Sequence, residues 1–125
     1  MLALVSHGVE GRAGPVRFDA DTPRLVAETM QALATPSRVR ILGRLRDSAC
    51  SVGELATAVG MEQSAVSHQL RILRHLGLVI NERHGRRVVY ALHDPHVGVL
   101  LEEAVYHVQH VRLGAATTAG EASAS

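Results

Sequence analysis

The fold of this 125-residue chain is decided by the stretch Ser51-Val-Gly-Glu-Leu-Ala-Thr-Ala-Val-Gly-Met-Glu-Gln-Ser-Ala-Val-Ser-His-Gln-Leu70. Ser51 and Glu54 have the spacing of a capping box, which predicts the start of a short helix. Gly60 is expected to end this helix, because glycine readily adopts the left-handed conformation found after helix ends. A second helix is expected over residues 63–76. Two short helices around one glycine are the outline of a helix-turn-helix.

Four small or apolar residues are placed as a helix-turn-helix requires. Ala56 allows the two helices to approach closely, and Gly60 accommodates the turn between them. Val66 and Leu70 fall on the inner face of the second helix and fix it to the core. The pattern alone is moderately specific, since a small helical domain with a solvated polar face would show it too.

The outer face of the second helix carries side chains that can contact phosphates and read base edges. Residues 79–84 and 87–92 follow as two strand-like runs joined at Gly85-Arg86, which predicts a β-hairpin. Its arginines lie near the tip, where a wing would touch the DNA backbone or minor groove. The residues predicted to bind double-stranded DNA are Gln63, Ser64, Ser67, His68, Gln69, Arg71, Arg83, Arg86 and Arg87.

The flanking segments complete a mostly α fold with one β-hairpin, a winged helix-turn-helix. Thr22-Pro23 and Thr35-Pro36 predict helices to about residues 34 and 47, and a long final helix is expected over residues 97–113. We expect dimerisation through the N- and C-terminal helices, since a small chain with a modest core is often completed that way. The predicted apolar stripes are Leu25, Val26, Met30 and Leu33 in the first helix, and Val39, Leu42 and Leu45 in the second.

Composition indicates the cellular compartment of the protein and the division of the chain into segments. The net charge is only +1, but residues 62–92 contain five arginines against two acids, a local surplus of positive charge. Cys50 is the only cysteine, which excludes an intramolecular disulfide and suits a reducing compartment. No stretch is apolar for long enough to be a signal peptide or membrane span, so we expect a cytoplasmic protein. Residues 1–20 are interpreted as a flexible arm, 21–114 as the functional domain and 115–125 as a disordered tail.

The final helix carries good ligands for a divalent metal in Asp94-Pro-His96 and His107-Val-Gln-His110. His96 and His107 share a helix face but stand about 16 Å apart along the axis, too far for one ion to reach both. In a symmetric dimer with antiparallel final helices, Asp94 and His96 of one chain would meet His107 and His110 of the other, giving two equal sites. The alternative is that these histidines are solvated surface residues and that Asp94 is only a helix cap.

The chain resembles the ArsR/SmtB family of metal-sensing winged-helix repressors over roughly residues 24–114. The resemblance implies a homodimer that binds operator DNA as apo-protein and releases it when metal binds across the dimer interface. It implies neither enzymatic activity nor a small-molecule substrate. The matching segments are Ala34-Thr-Pro-Ser-Arg38, Met61-Glu-Gln-Ser-Ala-Val-Ser-His-Gln-Leu70, Leu76-Gly-Leu-Val79 and the set Asp94, His96, His107 and His110.

The sequence indicates the position of the metal site more narrowly than the identity of the metal. Ser6-His7-Gly-Val-Glu-Gly-Arg12 resembles the opening of the family's nickel/cobalt sensors, in which a histidine beside the N-terminus contributes to the metal. The resemblance implies His7 as a further ligand and Ni(II) or Co(II) as effector, although Arg112 stands where those sensors have another histidine. Three histidines and one aspartate also suit tetrahedral Zn(II), so a zinc sensor is the first alternative.

Three other classes of protein share some of these sequence features. A metallohydrolase would need an open coordination position and a general base, and the chain has no His-Glu-x-x-His sequence. A metal-storage protein would not need an arginine-rich wing after the second helix of the helix-turn-helix. A metal-independent winged-helix regulator stays open, because it requires only that the histidines be structural.

Overall fold

A computed structural model of the chain describes residues 16–124, and the side chains of residues 16–115. Within this part it contains five helices and three strands, which confirms the predicted class of a mostly α fold with a β-hairpin. The order is α1 Thr22–Ala32, α2 Pro36–Asp47, β1 Cys50–Ser51, α3 Val52–Val59, α4 Gln63–His75, β2 Val79–His84, β3 Arg87–Leu92 and α5 Pro95–Ala124.

Local sequence explains where the central helices begin and end. The Ser51 hydroxyl accepts a hydrogen bond from the Glu54 N–H at 3.2 Å, and the Glu54 carboxylate accepts one from the Ser51 N–H at 2.9 Å. This reciprocal pair is the predicted capping box, and it satisfies two N–H groups that α3 cannot. Gly60 has a φ of +69° and ends α3, so the chain turns sharply before α4 begins at Gln63. The predicted helix-turn-helix is confirmed.

The hairpin forms a three-stranded antiparallel sheet in the order β1-β3-β2. Its register pairs Val79 with Leu92 and His84 with Arg87, so Gly85 and Arg86 form the two-residue turn that the sequence predicts. Gly85 has a φ of +66°, which glycine adopts at no steric cost. Strand β1 was not predicted, because two residues carry no alternation pattern and become a strand only by pairing with β3.

The core lies between α2, α3, α4, the sheet and the first turns of α5. Val66, Leu70 and Leu73 of α4 are buried, as predicted. In α2 the prediction was partly wrong, because Ile41 is fully buried whereas Val39 is 39% exposed. Val39 instead lines a groove between α2 and α5. The remaining buried apolar residues are Ala32, Leu42, Leu45, Cys50, Leu55, Ala56, Leu78, Val79, Ala91, Leu92, Val97 and Leu101.

Helix α5 crosses α2 closely at Gly98. A β-carbon at Gly98 would lie 3.2 Å from Cγ of Arg46 and 3.6 Å from Cδ1 of Leu92, so only glycine fits without displacement. Arg46 reaches over this crossing and donates to Glu102 of α5 at 3.0 Å. The close approach and the ion pair together set the direction in which α5 leaves the core.

Helix α5 is longer than the predicted helix of residues 97–113. It begins at Pro95 and runs to Ala124, past the predicted boundary between the functional domain and the tail. Residues 114–124 lack proline and are rich in alanine, which favours helix despite their low hydrophobic bulk. The division into arm, domain and tail stays a prediction, and most of the arm lies outside the described residues. No helix in the described part of the chain is long and apolar enough to cross a membrane.

Candidate metal centre and nucleic-acid interface

Asp94 stands between two histidines at the start of α5. Its Oδ1 accepts a hydrogen bond from the backbone N–H of His96 at 2.9 Å, and therefore caps the helix as the sequence predicts. Nδ1 of His96 lies 3.2 Å from the same oxygen. The second oxygen, Oδ2, lies 3.2 Å from Nδ1 of His93. Each carboxylate oxygen thus faces a different imidazole.

The separation between Asp94 and His96 fits a pair of ligands on one ion. Two donors that each lie about 2.1 Å from a metal are about 3.0–3.4 Å apart in octahedral or tetrahedral geometry. The 3.2 Å between Oδ1 and Nδ1 falls within that range. Carboxylate and imidazole are ligands that Zn(II), Ni(II) and Co(II) all accept.

The carboxylate of Asp94 is held in the charged form that a metal ligand needs. Partial burial alone would raise the pKa of Asp94. The hydrogen bonds from His93 and from the His96 backbone act against it, and with the smaller effect of the two imidazole charges they together lower the pKa below its ordinary value. Asp94 is therefore an anion at neutral pH.

His107 and His110 lie on the exposed part of the same helix, three residues and one turn apart. They are far from Asp94, since His107 is about 16 Å along the axis from His96. Within the described residues no three His, Cys, Asp or Glu side chains are grouped so that they could hold an ion. One chain therefore presents two separate pairs of candidate ligands. His7, the further predicted ligand, lies outside the described residues.

An apolar groove of about 470 Å³ runs between α1, α2 and α5, beside the His107 region. Its floor includes Leu33 and Leu101, and its rim reaches Arg112. The stripe predicted for α1 points away from the core, because Leu25, Val26 and Met30 are between 42% and 50% exposed. Exposed apolar residues continue along α5 at Val105, Val108, Val111 and Leu113.

The outer face of α4 presents most of the predicted DNA-binding residues to solvent. Gln63, Ser64, His68 and Arg71 are exposed, and Ser67 is half-buried. Gln69 differs, because its side-chain carbonyl accepts a hydrogen bond from Nε of Arg38 at 2.8 Å. It braces α4 against α2 instead of facing outward.

The wing carries two kinds of arginine. Arg83 and Arg86 extend into solvent at the tip. Arg87 forms an ion pair with Glu54, the same carboxylate that completes the capping box. The pKa of Glu54 is lowered chiefly by its hydrogen bond with the Ser51 backbone. The Ser51 side chain contributes next, and Arg87 contributes less. Sequence patterns did not predict this contact, because the two residues are 33 positions apart.

Cys50 is buried in β1, and burial raises the pKa of its thiol. A neutral, enclosed thiol is a poor metal ligand. The geometry therefore supports the sequence-based interpretation that Cys50 is a packing residue.

Comparison with known proteins identifies the family. The profile of the bacterial regulatory protein arsR family matches residues 35–81. The transcriptional regulator NmtR of Mycobacterium tuberculosis is 57% identical over 111 residues, which cover 88% of this chain and 92% of that protein. The chain belongs to the ArsR family. A transcriptional repressor SmtB homolog of Synechocystis is 44% identical over 95 residues, covering 76% of this chain and 72% of the relative.

Solved structures of ArsR relatives have the same fold. The solution structure of apo-NmtR superimposes with a TM-score of 0.66 at 57% identity, covering 84% of this chain and 89% of that one. A homodimeric winged helix-turn-helix domain from Mycobacterium bovis gives a TM-score of 0.67 at 31% identity, covering 78% and 91%. The ArsR member described here is thus a winged-helix transcriptional regulator of a metal-sensing family, and its relatives are regulators rather than enzymes, as the sequence predicts.

Proposed function

We propose that this protein is a homodimeric repressor that binds operator DNA as apo-protein and releases it when Ni(II) or Co(II) binds between the two α5 helices. The observation that carries the proposal is the 3.2 Å separation of Asp94 Oδ1 and His96 Nδ1 at one end of α5. His107 and His110 form a second exposed pair on the same helix. Each pair lacks the ligands that the other pair would supply.

A second copy of the chain is the occupant that we assign to the exposed apolar surface. Solvent-exposed apolar patches of this continuity mark protein interfaces. Met30 and Leu33 of α1 line one groove with Val105 and Val108 of α5, and a structural relative of this fold is a homodimer. With the two α5 helices antiparallel, the two-fold axis would repeat the metal site twice.

The DNA-binding surface is complete in each protomer. Helix α4 would enter the major groove with Gln63, Ser64, Ser67, His68 and Arg71 outward, while Arg83 and Arg86 of the wing reach the backbone or minor groove. Arg87 and Gln69 would support this surface from within. Two α4 helices about 34 Å apart would read a pseudo-palindrome on one face of the duplex.

The bound ion would supply a link of four or more bonds between the two α5 helices. A dimer fixed in this way would hold its α4 helices at a spacing that fits the operator less well. By linkage, operator DNA must then weaken metal binding by the same factor. The resemblance of Ser6-His7-Gly-Val-Glu-Gly-Arg12 to the opening of the family's nickel/cobalt sensors supports Ni(II) or Co(II), and His7 would be a further ligand. Zn(II), satisfied by the four central ligands alone, is the alternative.

The test is a titration of operator affinity with each metal. His107→Ala should retain apo binding and lose the response to metal, because it removes one ligand from each site. His75→Ala, which changes an exposed histidine outside the proposed site, is the matched control and should respond like the natural protein. A His107→Ala protein that still releases DNA on metal addition would overturn the site assignment.

The absorption spectrum of the Co(II) complex separates the two metal assignments. Intense visible bands indicate four-coordinate geometry, and weak bands indicate six-coordinate geometry. Six-coordination that is lost in a His7→Ala variant would support the nickel/cobalt assignment. Four-coordination that is unchanged in the variant would favour zinc.

A further inference from the structure

His93 is a histidine between β3 and α5 that the four-ligand site does not use. It lies at the end of β3, directly before Asp94. Its Nδ1 is 3.2 Å from Oδ2 of Asp94, whereas the capping hydrogen bond and the His96 imidazole are both on Oδ1. A carboxylate oxygen has two acceptor positions, so Oδ1 can keep the cap and still bind an ion.

The backbone of His93 is fixed independently of its side chain. Its N–H donates to the carbonyl of Leu78 at 3.0 Å, one step beyond the last β2–β3 pair, Val79 with Leu92. The N–H of Leu78 in turn donates to the carbonyl of Leu73 in α4 at 2.9 Å. The backbone that carries the His93 imidazole is therefore hydrogen-bonded, through Leu78, to the end of α4.

The geometry favours a role for His93 as a hydrogen-bond donor to Asp94 over a role as a further metal ligand. The two imidazoles contact different oxygens of Asp94, and no group of three donors converges on one point within the described residues. An ion placed between Oδ1 and His96 would therefore not have His93 within bonding distance unless the side chains rearranged. A donor on Oδ2 leaves Oδ1 free to face the ion.

We propose that His93 is a positioning residue for the metal site: it donates from Nδ1 to Oδ2 of Asp94 and holds Oδ1 beside Nδ1 of His96. The inference rests on the proposed function, because it assigns a role within that site. Without the donor, the carboxylate could rotate about its terminal bond, and binding an ion would have to order it. Loss of a hydrogen bond to a metal ligand typically weakens metal binding about 10–100-fold.

The experiment measures Co(II) and Ni(II) affinity of the full-length dimer by competition with a chelator, together with the Co(II) absorption spectrum. His93→Leu removes the donor and should weaken binding about 10–100-fold while leaving the band positions and intensities unchanged. His93→Asn keeps an N–H near the position of Nδ1 and should restore affinity to near that of the natural protein. His93→Ala replaces the leucine variant if the latter fails to fold, as judged by thermal melting.

Two results would overturn the inference. A changed Co(II) spectrum in His93→Leu would make His93 a ligand, and unchanged affinity would leave it without a role. His96→Ala, measured in parallel, separates this inference from the proposed function. If the natural protein binds no metal, or if His96→Ala binds as well as the natural protein does, the proposed site itself fails. If those controls behave as expected and His93→Leu binds normally, only the role of His93 fails.

Discussion

The helix-turn-helix differs from α1 and the outer part of α5 in how far its apolar residues are buried within one chain. In the helix-turn-helix, the inner face of α4 is buried, with Leu70 only 1% exposed. On α1 and the outer part of α5 the apolar residues remain uncovered, with Val108 52% exposed. The helix-turn-helix is complete within the protomer, whereas the half that carries the candidate metal ligands has the composition of an interface, which we propose a second copy completes.

The difference shows where sequence patterns carry enough information. Periodicity predicted the apolar faces of α4 and of α1 alike, but it could not say what covers each one. Within the helix-turn-helix the cover comes from neighbouring elements of the same chain. For the outer faces of α1 and α5 no element within residues 16–124 supplies the cover, and we propose that a second copy does. The candidate ligand pairs on α5 are incomplete in the same way.

The largest effect is expected where the core is complete. Leu70→Ala removes a fully buried side chain and should lower the free energy of unfolding by about 2–5 kcal/mol. Chemical denaturation measures the change, and Leu113→Ala, at a site 68% exposed, is the control on the other half. If the two variants lost equal free energy of unfolding, the difference in packing between the helix-turn-helix and the outer part of α5 would be contradicted.

The next effect concerns the surface that we assign to the dimer. Val108→Glu places a charge on a residue that is solvated in one chain, so the protomer should still fold. Burying that charge in a dimer is costly, and we expect dimer affinity to fall about 100-fold or more. Sedimentation at several concentrations measures this fall.

The control for Val108→Glu is Thr57→Glu, which adds the same charge at an exposed site on α3. It should leave the dimer intact. A Val108→Glu protein that dimerises normally would mean that this face of α5 is not the interface.

A smaller effect should distinguish the two kinds of wing arginine. Arg86→Ala should weaken operator binding and reduce by about one the slope of log affinity against log salt, because one phosphate contact is lost. Arg87→Ala should change the slope less, since its guanidinium is paired with Glu54. Equal changes in slope would show that Arg87 leaves Glu54 to contact DNA.

The smallest effect is a pH dependence at the start of α3. The folded state lowers the pKa of Glu54, chiefly through the Ser51 N–H, so its contribution to stability is fully present above the ordinary glutamate pKa of about 4.3. The contribution is lost as the pH falls through the lowered value.

Thermal melts of the natural protein and Glu54→Gln, taken from pH 7 to pH 3, measure this contribution. The natural protein should lose more stability than the variant in the acid range, because glutamine can cap but does not titrate. Parallel acid losses in the two proteins would exclude a role for the Glu54 charge.

The sequence predicted those parts of the fold that depend on neighbours along the chain. The capping box at Ser51, the turn at Gly60 and the hairpin turn at Gly85 are local, and all were confirmed. Contacts between distant residues were not predictable. Strand β1 exists only because β3 lies beside it, and Arg87 meets Glu54 only after the sheet packs on α3.

For the candidate site, the sequence predicted the ligand types and the need for two chains. It could not predict that Gln69 would turn inward to Arg38, since helical spacing alone leaves that side chain at the edge of the outer face. Nor did it predict the contact of His93 with Asp94, because adjacent residues can point in any direction where a strand passes into a helix. The full ligand set stays a prediction.

Gly98 lies where α5 crosses α2, so a small change in the crossing angle there would produce a larger displacement further along α5. His107 is nine residues beyond Gly98, about 14 Å along the axis, so a tilt of about 10° at the crossing would carry it about 2 Å sideways. That distance is as long as a metal–nitrogen bond, about 2.1 Å. Under the proposed function, a side chain at position 98 would have to displace Arg46 or tilt α5, and such a tilt would change the distance between His107 and the ligands of the other subunit.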